Sequence, residues 1–258
     1  MKNQYFGDIN DYRKYGILRV MSKRFSIAMC WMLTSDDGTL DGGNIRYLYN
    51  NDDKKFDNDL YCILHNSVII NKERKVCIAQ KSNLIDNAVY HSEFLQNSIL
   101  KRKEYFDHLK LLSQNSNLLF FDPDIGIEIP TVHYGQSRSN MYLFWKEIET
   151  CYSWGKSILI YQHFPRVARD EFITCRACNI KKHTKTDCIV SFQTSTVVFF
   201  LVLQPSHIDM ACKLSCEISN GNWKNKITVK VHQQYIIGIK CLYCRNASKG
   251  VPIGLLDQ

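Results

Sequence analysis

The 258-residue sequence lacks any long apolar run, internal repeat, or linker rich in proline, glycine and serine. Its longest apolar stretch, from Thr196 to Leu203, is far shorter than the roughly 20 residues of a membrane-spanning helix. Residues 1–8 contain no apolar segment of the kind found in secretory signals. We therefore expect a cytoplasmic protein without membrane association, with one α/β domain over 1–235 and a C-terminal tail of unclear structure over 236–258.

The sequence also lacks the cysteine pattern of a disulfide-bonded secreted domain, although it contains 11 cysteines. Most of them lie within apolar or helical stretches rather than at regular spacings in loops, which is typical of a reducing compartment. Two C-x-x-C pairs, Cys175/Cys178 and Cys241/Cys244, have the local spacing of zinc ligands. Because a long stretch of chain separates these pairs, we expect no shared zinc site and predict no resident metal.

The net charge of +8 is unevenly distributed along the chain. Between Asp36 and Asp59 there are seven acidic and three basic residues, whereas between Arg166 and Lys185 there are six basic and two acidic residues. An acidic centre with a basic flank fits a protein that acts on bound nucleic acid, so nucleic acid is the predicted partner. An undirected surface pattern is the alternative.

The order of the apolar segments predicts an α/β fold. Strands are predicted at 25–33, 118–121, 157–161, 189–192, 197–203 and 227–231. Helices are predicted at 11–23, 92–113, 140–154, 167–173 and 205–218. Strands that alternate with helices are typical of a mostly parallel sheet covered on both faces, so we expect a Rossmann-like three-layer sandwich with a late antiparallel strand.

Ligands of such sheets bind in the crevice beyond the carboxyl ends of the strands. The N-terminal segment can fold over this edge as a fourth element, and three predicted loops converge there and carry the polar candidates. These are Asp36, Asp37, Asp41 and Gly42 after the first strand, Asp122, Asp124 and Glu128 after the 118–121 strand, and Gln162, His163 and Arg166 after the 157–161 strand.

The sharpest motif is Asp122-Pro-Asp-Ile-Gly-Ile-Glu128. A carboxylate at the end of a strand, followed by proline and a turn glycine, is held at the sheet edge with little freedom. It can accept a proton, bind a metal or receive an amine, which makes Asp122 and Asp124 candidate catalytic residues. An Asx turn with solvated acids is the alternative interpretation.

His163 and Arg166 form a second candidate pair behind a buried strand. His163 is a candidate general base and Arg166 a candidate phosphate ligand, although a histidine at the end of a strand is also commonly structural.

Two further segments suggest ligand binding. Between Gly7 and Tyr15, Tyr12 and Arg13 fit base stacking and phosphate contact, and a capped amphipathic helix is the alternative. The loop over 36–43 could cradle a cofactor or supply metal ligands through Asp37, Gly38 and Gly42. It matches neither G-x-G-x-x-G nor the Walker spacing, and plain turn chemistry explains it as well.

These motifs resemble those of a family of uncharacterised bacterial proteins, over most of the chain up to about Trp223. The segments concerned are Gln4-Tyr-Phe-Gly-Asp-Ile-Asn-Asp-Tyr-Arg-Lys-Tyr-Gly-Ile-Leu-Arg19, Phe120-Phe-Asp-Pro-Asp-Ile-Gly-Ile-Glu128 and Tyr161-Gln-His-Phe-Pro-Arg166.

The layout is more distantly similar to class I ribosomal RNA adenine-N6 methyltransferases. That resemblance implies S-adenosylmethionine as cofactor, bound over the first strand. It implies that Asp122 receives the target amine and that Pro123 shapes the turn. It also implies that Asp11 and Lys14 match the acid and base of the leading segment, which makes them candidate cofactor-binding residues. Asp124 and Ile125 stand where that family has proline and tyrosine, and the tight Asp-x-Gly-x-Gly loop is missing.

Three functions are therefore open. The first is a methyltransferase-like enzyme acting on nucleic acid, possessing a degenerate cofactor loop. The second is a metal-dependent nuclease in which Asp122, Asp124, Glu128 and Asp37 hold Mg²⁺ while His163 and Arg166 handle the phosphate. The third is a non-catalytic nucleic-acid-binding protein. The strand order favours the first.

Overall fold

The computed structural model describes residues 1–39 and 41–233, and a seven-stranded sheet lies at its centre. The predicted tail over 236–258, with Cys241 and Cys244, lies outside the described residues. Within the described ranges, no helix combines the length and the apolar character needed to cross a membrane.

The strands and helices follow one another along the chain as the alternating pattern predicts. The strands are β1 (Ile27–Cys30), β2 (Ala88–His91), β3 (Leu118–Phe121), β4 (Gly126–Ile127), β5 (Tyr142–Leu143), β6 (Ser157–His163), β7 (Cys188–Gln193), β8 (Val197–Val202) and β9 (Thr228–Gln233). The α-helices are α1 (Ile9–Ser22), α2 (Asn58–His65), α3 (Cys77–Lys81), α4 (Ile99–Leu112), α5 (Trp145–Ser153), α6 (Arg169–Thr184) and α7 (Asp209–Asn220). Shorter helical turns are Asn3–Tyr5, Arg46–Tyr49, Asp52–Lys55, Asn66–Ile70, Ser139–Met141 and Pro205–His207.

The large sheet has the strand order β2-β1-β3-β6-β8-β7-β9. Strands β2, β1, β3 and β6 are parallel to one another. Strand β8 enters antiparallel between β6 and β7, and β9 pairs antiparallel with the outer edge of β7. The mostly parallel Rossmann-like sandwich with a late antiparallel strand is confirmed, and β9 adds a second antiparallel strand at the edge.

Both faces of the central strands are buried, which explains why these strands are continuous apolar runs. In β3, Leu118 and Phe120 pack into one apolar core, and Leu119 and Phe121 pack into the other. Helices α1, α2 and α7 cover the first core, and α4, α5 and α6 cover the second. The carboxyl ends of the parallel strands therefore emerge between two helical layers.

Three predicted helices have different ends in the structure. The 92–113 helix begins only at Ile99, and the 167–173 helix continues to Thr184 because its buried positions keep helical spacing. The helix predicted over 140–154 begins at Trp145, because Tyr142 and Leu143 pair with β4 as a short strand.

A buried arginine fixes the segment between β4 and α5. Arg102 of α4 is fully buried and makes a bidentate ion pair with Glu147, with nitrogen–oxygen distances of 2.8 and 2.7 Å. It also donates to the carbonyl oxygens of Ser139 and Tyr142, each at 3.0 Å. Asn140 of this segment lines a surface groove, so Arg102 holds one wall of that groove in place.

Candidate active site

Asp122 directly follows β3, and its carboxylate is engaged inside the protein. The side chain is 2% exposed, and its Oδ2 lies 2.6 Å from the Nζ of Lys14 on α1. Lys14 also lies 2.6 Å from the Oδ1 of Asp11, one helical turn away. Lys14 is thus bound by the carboxylates of both Asp11 and Asp122, and the two residues that the resemblance places beside a cofactor are engaged with each other and with the end of β3.

An aromatic cage surrounds the ammonium group of Lys14. The rings of Tyr15, Trp31 and Tyr161 have their centroids 5.2, 5.6 and 5.7 Å from Nζ. Burial alone would lower the pKa of Lys14, but the carboxylates of Asp11 and Asp122 outweigh it and raise that pKa above its usual value. Lys14 is therefore a cation at neutral pH, and its ammonium occupies the inner face of Asp122.

Asp124 joins the loop after β3 to the loop after β1. Its Oδ2 accepts a hydrogen bond of 2.6 Å from Thr34 Oγ1, and its Oδ1 forms an ion pair with the amino group of Met1. The same amino group donates to the carbonyl oxygens of Met32 and Asp122 at 3.2 and 3.0 Å. Asp124 is buried, so its carboxylate acts here as a tie between two loops.

Gln162 holds the turn that follows these acids. Its Oε1 accepts from the backbone N–H of Ile127 at 2.9 Å, and its Nε2 donates to the carbonyl oxygen of His163 at 2.8 Å. Gly126 has a φ of +139°, and a Cβ there would lie 2.3 Å from Gln162 Nε2. The glycine of the motif is thus required both by the backbone conformation and by the close approach of Gln162.

His163 lies at the same end of the sheet as Asp122, because it ends β6, the parallel neighbour of β3. Its Nε2 is 3.1 Å from the Oη of Tyr161, one of the cage rings. Burial lowers the pKa of His163, and the Asp124 carboxylate offsets only part of that effect. His163 is therefore neutral at pH 7 and able to accept a proton.

The predicted cofactor loop folds back on the N-terminal residues. Asp37 forms an ion pair with Lys2, and that contact lowers the pKa of Asp37 below its usual range. Gly42 has a φ of +77°, and a Cβ there would lie 2.4 Å from the Tyr5 ring. Gly38 also has a positive φ, of +69°, but no atom lies within 4 Å of its Cβ position. Asp37 and Gly42 thus hold this loop against Lys2 and Tyr5, whereas the space around Gly38 is open.

An open groove lies instead between the loops after β1 and β2. Its volume is about 430 Å³, and we call it the Thr34 groove. The residues that line it are Thr34, Ser35, Phe94, Leu95, Gln96, Asn97, Ser98 and Asn140. Thr34 is also the hydrogen-bond partner of Asp124, so the groove and the acidic loop share a wall.

A second groove, of about 670 Å³, lies after β6 beside the turn between β7 and β8, and we call it the Arg166 groove. The residues that line it are Phe164, Pro165, Arg166, Val167, Ala168, Arg169, Ser195 and Thr196. Arg13 lies next to it, since its Nη1 donates to Ser195 Oγ at 2.7 Å. Arg13 and Arg166 therefore lie beside the same groove.

Tyr12 does not join that groove. It is 1% exposed, stacks on Tyr47 with ring centroids 5.1 Å apart, and donates from Oη to the carbonyl oxygen of Asp53 at 2.8 Å. The prediction that Tyr12 stacks on a base is wrong, because the aromatic face is part of the core beneath α1.

Glu128 does not gather with Asp122 and Asp124 either. It lies beside α5 and α6, where burial raises its pKa and the charges around it belong to Glu147, His183 and Lys146. Among residues 1–39 and 41–233, no three histidine, cysteine, aspartate or glutamate side chains are arranged to hold a metal ion. The ligand set of the nuclease hypothesis is therefore not assembled.

No protein-family model matches the sequence, and no curated protein matches it at a significant level.

Proposed function

We propose that the protein is a methyltransferase-like enzyme that acts on nucleic acid with S-adenosylmethionine as its cofactor. The observation that carries the proposal is the Thr34 groove, which opens at the carboxyl ends of β1 and β2 and is joined to Asp124 through Thr34. Cofactors of Rossmann-like sheets bind at this end of the strands.

The groove fits S-adenosylmethionine through residues other than the glycine loop. Its volume lies within the range of small-molecule sites, which is about 300–1,000 Å³. Hydroxyl and amide side chains of Ser35, Gln96 and Asn140 suit ribose hydroxyls and the polar edge of adenine. The ring of Phe94, which is 53% exposed, suits the flat face of the base. When bound, the cofactor supplies the methyl group of a sulfonium.

Asp122 is the candidate group for orienting the target amine. In this proposal the amine replaces the Lys14 ammonium at Asp122 Oδ2, while Lys14 keeps its second partner, Asp11. His163 is the candidate acceptor for the proton that the nitrogen loses when it gains the methyl group. The Arg166 groove, with Arg13 beside it, is the candidate site for the phosphates of the substrate.

A non-catalytic nucleic-acid-binding protein is the second candidate. The observation that favours it is the enclosure of Asp122, which is buried against Lys14 and so is not open to a substrate in this conformation. Both candidates use the Arg166 groove to bind nucleic acid. Only the methyltransferase uses the Thr34 groove, where it binds S-adenosylmethionine.

A methyl-transfer assay with radiolabelled S-adenosylmethionine and mixed cellular RNA and DNA separates the two candidates. Ser35→Trp fills the Thr34 groove, and Ser92→Trp is the matched control, since Ser92 is exposed on the loop after β2 and does not line the groove. We expect transfer by the wild type and by Ser92→Trp, and a loss of at least tenfold in Ser35→Trp. Nucleic-acid binding without any transfer would favour the non-catalytic candidate.

A further inference from the structure

Arginine and aromatic side chains from helix α6, from the loop before it and from the start of α5 form an alternating series, most of which lies outside the Arg166 groove. The guanidinium of Arg169 lies 5.3 Å from the centroid of the Phe164 ring. The guanidinium of Arg176 lies 5.4 Å from the Phe172 ring and 5.6 Å from the Trp145 ring. The alternation thus begins in the Arg166 groove and continues along the helix.

The far end of this series is a parallel stack. Trp145 and His183 have ring centroids 4.4 Å apart and an interplanar angle of 6°. We call the whole series the α6 ladder, and its members are Phe164, Arg169, Phe172, Arg176, Trp145 and His183. From Arg169 to His183 the helix rises by about 21 Å, at roughly 1.5 Å per residue.

The ladder lies on the flank of α6 rather than on its buried side. Ile173, Ala177 and Ile180 bury the helix against the second core, whereas each ladder residue keeps part of its surface exposed. Trp145, Phe164 and Phe172 pack against the same core with part of their surface, so only the outer part of each ring is open to a ligand. Lys181 and Lys182 add further positive charge to the same helix.

The chemistry of the ladder fits single-stranded nucleic acid. Arginines spaced along a groove contact successive phosphates, and aromatic or guanidinium planes between them stack on bases irrespective of sequence. A duplex offers its phosphates but keeps its bases stacked on one another, so it can use only the arginines. An acidic peptide would also use the arginines but would gain little from the ring faces.

We propose that a single strand of nucleic acid enters through the Arg166 groove and continues along the α6 ladder. Phosphates bind Arg166, Arg169 and Arg176, and one base stacks at Trp145. This inference rests on the nucleic-acid partner of the proposed function, but it does not depend on methyl transfer.

Fluorescence anisotropy of labelled 12-nucleotide single strands, of the matching duplex and of poly-glutamate tests the proposal. We expect the single strand to bind about tenfold more tightly than the duplex. Arg176→Gln should weaken binding several-fold and reduce the slope of log affinity against log salt by about one. Trp145→Ala should weaken single-strand binding about tenfold with an unchanged slope.

Lys213→Gln is the matched control, because it removes the same charge from an exposed position of α7, on the other face of the sheet. It should change affinity less than twofold. Arg169→Gln repeats the phosphate test at a more exposed position if Arg176→Gln lowers the melting temperature. Equal binding of strand and duplex, tighter binding of poly-glutamate, or ladder variants no weaker than Lys213→Gln would overturn the inference. Calorimetry with S-adenosylmethionine, run in parallel, tests the proposed function separately.

Discussion

The Nζ of Lys14 lies 2.6 Å from a carboxylate oxygen of Asp122, although the two residues are 108 positions apart in the sequence. Both side chains are almost fully buried, so the first helix is tied to the end of a central strand by opposite charges in the interior. Such a pair contributes modestly when complete, but it leaves a costly unpaired charge when one partner is removed.

We therefore predict non-additive effects of substitutions at this pair. Lys14→Met should lower the free energy of unfolding by about 3–5 kcal/mol, because Asp11 and Asp122 lose their shared cation. Adding Asp122→Asn to Lys14→Met should recover part of that loss. Urea denaturation of the two single variants and the double variant measures the coupling, and strictly additive effects would show that the pair is not coupled.

The buried carboxyl group of Asp8 should make the stability of the folded protein depend on pH. Burial raises its pKa to about 7, and the nearby carboxylate of Asp11 adds to the effect. The folded protein holds the proton of Asp8 more tightly than the unfolded chain does. The stabilisation that this protonation gives the folded state is therefore fully present below about pH 4 and is lost as pH rises to about 7.

Asp8→Asn tests this contribution without removing the helix cap. Asp8 caps α1 by accepting from the N–H of Asp11 at 2.8 Å, and asparagine is an equally good cap. The variant should match the wild type near pH 4 and exceed it increasingly up to pH 7, by at most about 4 kcal/mol. Thermal melts from pH 4 to pH 8 measure this difference, and a constant difference would refute the assignment.

Gly126 and Gly155 offer a matched pair of glycine substitutions. Both have a positive φ, of +139° and +76°, but a Cβ at Gly126 meets Gln162 whereas a Cβ at Gly155 meets no atom within 4 Å. Gly155→Ala should cost about 1–2 kcal/mol from backbone strain alone. Gly126→Ala should cost more, because Gln162 must also leave its hydrogen bonds. Equal losses in chemical denaturation would mean that Gln162 does not hold the turn.

Much of the fold follows from the sequence because the central strands are buried on both faces. The apolar run at 118–121 fits β3 residue for residue, since no polar position interrupts it. Strand β2 escapes prediction because it lies at the edge of the sheet, where three of its four residues are partly or fully exposed. Such partly exposed residues carry no continuous apolar signal.

The site is less predictable than the fold. Asp122 and His163 lie at one edge of the sheet because the carboxyl ends of parallel strands meet there. Predicting this requires only the positions of the strands. That Lys14 is the partner of Asp122 depends on how α1 packs against the sheet. The sequence around Asp11 and Lys14 does not indicate this packing. The sequence carries no signal for the Thr34 groove either, because its serine, asparagine and glutamine side chains are ordinary loop residues.

In the proposed reaction, S-adenosylmethionine binds in the Thr34 groove while Asp122 orients the target amine. Calorimetric titration of S-adenosylmethionine into the wild type and Asp122→Asn tests it most directly. We predict that both proteins bind the cofactor with similar affinity and that only the wild type transfers a methyl group. Absence of cofactor binding by the wild type, with Mg²⁺ binding that disappears in Asp122→Asn, would contradict the claim and favour the nuclease hypothesis.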